Sequence, residues 1–237
     1  GVVRAHEGNP GKVAVVVGGG PGHYPAFCGV VGPGFADGAI VGNVFTSPSA
    51  QDAINVGAAA DNGGGVILTA GNYAGDVLHF TEAAETLTNN GIEARTLFVT
   101  DDVASAPRGE ESKRRGIAGD FVVFKIMSAA AEAGYDLEGV LQVGHKANSA
   151  TRTMGVAFAG CTLPGQSEPL FIVPEGKMGI GLGIHGEPGI SEEPVPTARE
   201  LAQLLVGHVL EELELKPGSR VGAILNGLGG TKYEELF

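Results

Sequence analysis

Three titratable side chains sit in or close glycine-rich turns. His23 ends Gly18-Gly19-Gly20-Pro21-Gly22-His23, Asp76 ends Gly71-Asn72-Tyr73-Ala74-Gly75-Asp76, and His185 lies inside Gly181-Leu182-Gly183-Ile184-His185-Gly186-Glu187-Pro188-Gly189. An imidazole changes charge near neutral pH, and at His23 it stands where bare backbone lets a ligand approach closely. The glycines before it have a second reading, a tight turn and nothing more, and only His23 tips the balance. His185 has glycines on both sides, so its neighbours do not shield the ring, which is expected to meet a ligand or solvent rather than fill a core. Asp76 taken alone fits a carboxylate at a helix start, satisfied by first-turn amides and the helix dipole. Surface or packing roles fit His6, His79, His145 and His208 better. Asp76 and His79 have the spacing of a metal pair on a helix, but no third ligand has a suitable context, so no metal site is expected. The first turn is not a nucleotide fingerprint either: His23 stands where GxGxxG needs its third glycine, no GxxxxGK[ST] occurs, and Pro21 has no N–H to offer a phosphate.

The elements that must position these residues can be read along the chain. Val13-Ala14-Val15-Val16-Val17 is a continuous β-branched run between Gly11 and Gly18, as expected of a central parallel strand buried on both faces. A second strand is expected over 39–45, with Ser47-Pro48 as N-cap and first-turn pair for a helix over 50–61. The pattern repeats with a strand over 66–69, a helix from about Asp76 to Asn89 capped by Gly91, and a strand over 93–100. Such βαβ units imply an α/β fold with a mostly parallel sheet flanked by helices. Residues 101–120 read as an exposed loop, followed by helices over 121–133 and 137–150. Beyond Arg152 short strands are expected over 154–158, 170–173 and 220–225, with an amphipathic helix over 197–213. The chain therefore divides into an α/β subdomain at 1–150 and a smaller α/β or mixed-sheet subdomain at 151–237, which carries His185. Loops at the carboxyl ends of parallel strands share one edge, where ligands bind. The turns ending in His23 and Asp76, and a third at Asn226-Gly227-Leu228-Gly229-Gly230, are expected there.

Composition narrows the class. The chain has 237 residues with 40 Gly, 2 Cys, no Trp and a formal charge of -12. Glycine far exceeds the ordinary share of about 7% but has no collagen period, so the protein is globular and rich in turns. The acidic charge speaks against a nucleic-acid surface, and the longest basic cluster is Lys113-Arg114-Arg115. No apolar run approaches the roughly 20 residues that span a bilayer, so no membrane role and a cytoplasmic protein are expected. Cys28 and Cys161, far apart, read as buried thiols.

Six blocks taken in order resemble a known family: 18–23, Phe45-Thr46-Ser47-Pro48-Ser49, 72–76, Arg114-Arg115-Gly116-Ile117-Ala118-Gly119, Thr151-Arg152-Thr153-Met154-Gly155-Val156, and 181–189. They are similar to the motifs of the dihydroxyacetone kinase substrate-binding (K) domain. The resemblance implies a kinase domain that binds a short-chain ketose while a separate helical L domain or L subunit carries ATP, or ADP as a relay, with Mg2+. No cofactor is then expected on this chain. It implies that His185 attacks the ketone carbonyl and holds the substrate as a hemiaminal, that His23 accepts a proton beside the substrate hydroxyl, and that Asp76 binds and helps deprotonate that hydroxyl. Gly20 and Gly22 match backbone contacts. Reversible addition of imidazole to a carbonyl captures ketones but not glycerol, and it positions the terminal hydroxyl for phosphoryl transfer. Relatives specific for dihydroxyacetone usually carry Ser and Glu where this chain has Pro21 and Tyr24, and Lys where it has Gly71. That implies room near Asp76 for a larger ketose such as erythrulose. The resemblance also implies a homodimer and a family domain extending further at both ends. A second reading is a non-catalytic ketose sensor or co-activator using the same capture.

Overall fold

The computed structural model describes residues 1–5, 10–228 and 230–236, so His6 and Gly229 lie outside the described residues. Its larger sheet has five strands: β1 (Val2–Val3), β2 (Ala14–Gly19), β3 (Gly38–Val41), β4 (Val66–Gly71) and β5 (Ala94–Val99), in the order β1-β3-β2-β4-β5. Only β1 runs antiparallel; the β3-β2-β4-β5 pairs are all parallel. The alternation of side chains along β2 explains its unbroken apolar run. Ala14 and Val16 join Ile40, Leu68, Phe80 and Leu87 under helices α1 (Ala50–Ala60) and α2 (Ala74–Asn89). Val15 and Val17 join Ile67, Leu97, Phe124, Met127 and Val140 under α3 (Gly119–Glu132) and α4 (Leu137–Ala150) on the other face. A smaller antiparallel sheet follows, β6 (Val156–Ala157), β7 (Lys177–Ile180) and β8 (Ser191–Pro194). Helix α5 (Ala198–Glu212) lays Leu201, Leu204, Leu205 and Val209 against Met154, Met178 and Ile180. Its start carries a capping box between Thr197 and Glu200.

Several expectations are corrected. The strand expected to reach Phe45 stops at Val41, because its partner β2 ends opposite at Gly19 and the ladder has nothing further to pair with. Helix α1 is capped by Ser49, whose Oγ accepts from the Asp52 N–H at 3.1 Å, and not by Ser47. Helix α2 begins two residues before Asp76. Residues 170–173 are not a strand: Pro169 and Pro174 bracket them and remove ladder donors. Residues 220–225 are exposed coil with no strand beside them among the described residues. The 101–120 segment is not a solvated loop, since Asp101, Asp102 and Arg114 in it are no more than 2% exposed. It is folded by polar pairing, which leaves no apolar trace in sequence: Asp101 accepts from the N–H groups of Ile117 and Gly119, while Arg114 reaches the Ala106 carbonyl and pairs with Glu212 of α5. Both cysteines are half-buried free thiols.

Candidate functional site

The carboxyl ends of β2 and β4 deliver two of the three singled-out side chains, and the turn after β7 delivers the third. Beyond β2 the chain makes a short 3-10 turn, Pro21–His23, pinned to the neighbouring loop by a bond from Gly22 N–H to the Val44 carbonyl at 2.8 Å. Glycine is needed here for packing: a Cβ on Gly20 would strike the Val44 carbonyl, and one on Gly22 the Phe45 ring. Pro21 is exposed. The turn is a short 3-10 turn rather than the start of an α-helix, and Pro21 has no N–H, so its own residues do not form a phosphate cradle. Among the described residues no group of three or more His, Cys, Asp or Glu gathers as it would around a metal.

His23 and His185 meet across the site, Nε2 to Nε2 at 3.0 Å. His185 is 23% exposed, more enclosed than its glycine neighbours predict, because the rings of Phe45, Tyr73 and His23 surround it at centroid distances of 5.3, 5.4 and 5.0 Å. Behind it stands Glu187. One carboxylate oxygen accepts from His185 Nδ1–H at 2.7 Å and the other from the His185 backbone N–H at 3.0 Å. A carboxylate on Nδ1 fixes the proton there, so the Nε2 lone pair faces the site and His23 Nε2–H points at it. Burial pushes the Glu187 carboxyl up, but hydrogen bonds from the His185 side chain, its own backbone and the His185 backbone outweigh that and hold it at about 2. Burial, and the nearby His185, lower His23 to about 4 against a smaller opposing pull from Glu187, so its ring is neutral at physiological pH.

Asp76 lies in the first turn of α2 and is 7% exposed. Its Oδ2 accepts from Ser47 Oγ at 2.9 Å, and His79, one turn on, donates from Nδ1 to the Pro48 carbonyl at 2.7 Å. The two residues clamp the 47–48 segment to the helix. Gly75 makes the approach possible, since a Cβ there would come within 2.5 Å of Ser47 Oγ. Burial raises Asp76 above the usual carboxylate range despite the Ser47 bond. Gly71 does not open onto free space. A Cβ on it would lie 2.8 Å from the Gly116 carbonyl and 3.0 Å from the Tyr73 ring, so any side chain here requires these neighbours to shift. Among the described residues, the enclosed Tyr73 hydroxyl, Asp76 Oδ1 and Asp120 Oδ1 have no hydrogen-bond partner. Burial raises Tyr73, and burial with the charges of Asp101 and Asp76 raises Asp120 well above its ordinary range.

The structure thus brings His23, His185 and Asp76 to one edge with Gly20, Gly22 and Gly71. Of the expected 226–230 turn, Gly229 lies outside the described residues, and among the described ones the bonds are local: Leu228 N–H to Asn226 Oδ1, and Thr231 N–H to the Gly227 carbonyl. Sequence reasoning missed Glu187, Ser47, Tyr73, Phe45 and Asp120 as contributors. The His-x-Glu spacing at 185–187 was the one local signal that could have found Glu187.

A family model described as the Dak1 domain matches residues 1–237. The chain is 67% identical over 237 residues to the D-erythrulose kinase of Mycolicibacterium smegmatis, covering all of this chain and 41% of the relative. It is 46% identical over 226 residues to the dihydroxyacetone-binding subunit DhaK of a PTS-dependent dihydroxyacetone kinase of Listeria innocua, covering 95% of this chain and 68% of the relative. The crystal structure of the dihydroxyacetone kinase of C. freundii superposes with a TM-score of 0.80 at 38% identity over 86% of this chain and 37% of that one. The chain therefore spans well under half of the erythrulose kinase that it matches.

Proposed function

From the premise that the chain belongs to the Dak1 domain family, we propose that it is the substrate-binding part of a ketose kinase that captures a short-chain ketose covalently on His185. One observation carries the reading: Glu187 fixes the His185 proton on Nδ1, leaving the Nε2 lone pair directed at the edge where His23 and Asp76 also arrive. Addition of Nε2 to a ketone carbonyl makes one C–N bond and turns C=O into C–OH, with no loss of water. The carbonyl oxygen takes up one proton from water, and the ring, cationic once the bond forms, gives up its Nδ1 proton through Glu187 to water, so that protons and charge balance. For a carbonyl carbon to reach Nε2, the His23–His185 bond has to open, after which the His23 proton moves to Nδ1 through solvent and leaves the Nε2 lone pair free for the substrate. His23, neutral at physiological pH, then accepts the proton of the hydroxyl to be phosphorylated, and Asp76 orients that hydroxyl through Oδ1. The unpartnered Tyr73 hydroxyl and Asp120 Oδ1 support a substrate with several hydroxyl groups, and the 67% identity to an erythrulose kinase supports a four-carbon ketose. Phosphoryl donor and Mg2+ belong in this reading to an L domain or L subunit, and the working form is a homodimer with its 1–150 and 151–237 subdomains meeting at the site.

The test supplies an L partner and a phosphoryl donor and follows phosphorylation of erythrulose and dihydroxyacetone. Faster turnover of erythrulose is expected. Turnover of dihydroxyacetone at an equal or higher rate would contradict the substrate assignment, and capture without any turnover would favour a ketose sensor.

A further inference from the structure

We propose that Arg115 is a positioning residue for His185: it fixes the 181–187 turn to the loop after β5 by gripping both ends of that turn. The inference rests on the proposed capture at His185 for its consequence, though not for its geometry. Arg115 lies in none of the glycine-rich loops. Its Nε and Nη2 both reach Asp102 Oδ2 at 2.9 Å, Nη2 also donates to the Gly181 carbonyl at 3.1 Å, and Nη1 stands 4.0 Å from Glu187 Oε2. The arginine backbone is itself fixed, its N–H donating to Ser105 Oγ at 2.9 Å and its carbonyl accepting from Asp102 N–H at 3.1 Å. Asp102 is 2% exposed and the Arg115 side chain 12%. One planar fork therefore ties a buried anion on the parallel-sheet side to the first and last residues of the turn that carries His185. Inside that turn the bonds are local, Gly183 N–H to the Glu187 carbonyl at 3.0 Å and Gly186 N–H to the Gly183 carbonyl at 2.9 Å. They shape the turn but do not place it.

Arginine has the geometry for this and lysine does not. An ammonium can neutralise Asp102, but as a point donor it cannot also span Gly181 and Glu187. The other titratable groups facing the His185–Glu187 pair are His23 from the turn after β2, and Tyr73 and Asp76 from the start of α2; Arg115 is the cation on the remaining side.

Two variants of the full chain test this. Arg115→Lys keeps Asp102 paired, and the double variant D102N/R115M removes the buried ion pair together so that neither charge is left uncompensated. Imidazole 1H–15N NMR follows the His185 Nδ1–H directly and needs no ketose. Its exchange with water should be about tenfold faster in both variants, the factor that loss of one ordinary hydrogen bond of restraint gives. Erythrulose capture per folded molecule should fall about tenfold in both variants. A thermal midpoint that falls while Nδ1–H exchange and capture per folded molecule both stay at wild-type values would make Arg115 merely structural and overturn the inference. Faster exchange in a chain whose wild type captures no ketose would support the positioning role and overturn only the capture reading.

Discussion

Replacing Glu187 by glutamine keeps the side chain's shape and removes its charge. In the native chain one carboxylate oxygen holds His185 Nδ1–H at 2.7 Å and the other the His185 backbone N–H at 3.0 Å. A hydrogen bond to a charged group contributes about 1.5–3 kcal/mol, so losing the first of these lowers capture by roughly 10- to 150-fold, at tenfold per 1.4 kcal/mol. Glutamine adds a second penalty. If its NH2 faces Nδ1, that nitrogen becomes the acceptor, the ring proton moves to Nε2, and the lone pair that attacks the carbonyl is gone. The pH behaviour follows the same group. Glu187 falls from an ordinary 4.5 to about 2 in the folded chain. A carboxyl depressed in this way stabilises the fold above pH 4.5, and its contribution is lost as pH falls through about 2. Capture is read by intact mass spectrometry over a ketose titration, and calorimetry at pH 7 and pH 3 checks the fold. Wild-type capture by Glu187→Gln at pH 7 would refute the claim that Glu187 sets the reactive tautomer.

Three further outcomes are expected. Ser47→Ala leaves the buried Asp76 with no side-chain donor and should cost about 1–3 kcal/mol by denaturant unfolding; an unchanged midpoint would show that Asp76 finds another partner. Gly71→Ala puts a methyl group 2.8 Å from the Gly116 carbonyl and 3.0 Å from the Tyr73 ring, and should cost about 1–3 kcal/mol by the same measurement. His23 falls from 6.5 to about 4 on folding, so below pH 6.5 the unfolded chain takes up a proton that the folded chain refuses. Stability should therefore decline from pH 6.5 to 4 and the decline should be shallower in His23→Gln, which a series of calorimetric scans would detect; parallel profiles would contradict the burial of that ring.

The parallel sheet was legible because its strands are buried on both faces. Val15 and Val17 serve one core and Ala14 and Val16 the other, so the chain had to write an unbroken apolar run. The helices were equally plain, apart from the cap of α1, where Ser47 bonds to Asp76 instead and Ser49 caps the helix. The site was half legible. His23, Asp76 and His185 stood out through their glycines, whereas Glu187 and Arg115 act through partners that sequence does not pair. The link from Arg115 to Gly181 crosses 66 positions. Segment 101–120 read as solvated because its residues are charged, and charge in sequence does not reveal that Asp101 is held by backbone N–H groups, Asp102 by Arg115 and Arg114 by Glu212 of α5. Gly71 is closely lined by the Gly116 carbonyl and the Tyr73 ring, and the approach of residue 116 is not visible in sequence.

Capture of a ketose by His185 is the centre of this account, and intact mass spectrometry tests it most directly. The chain is incubated with erythrulose or dihydroxyacetone and quenched without reductant, beside His185→Ala. One added mass equal to the whole ketose, without loss of water, is expected on the parent chain and none on the variant. Equal adduct on both proteins, or binding by both without any adduct, would contradict it.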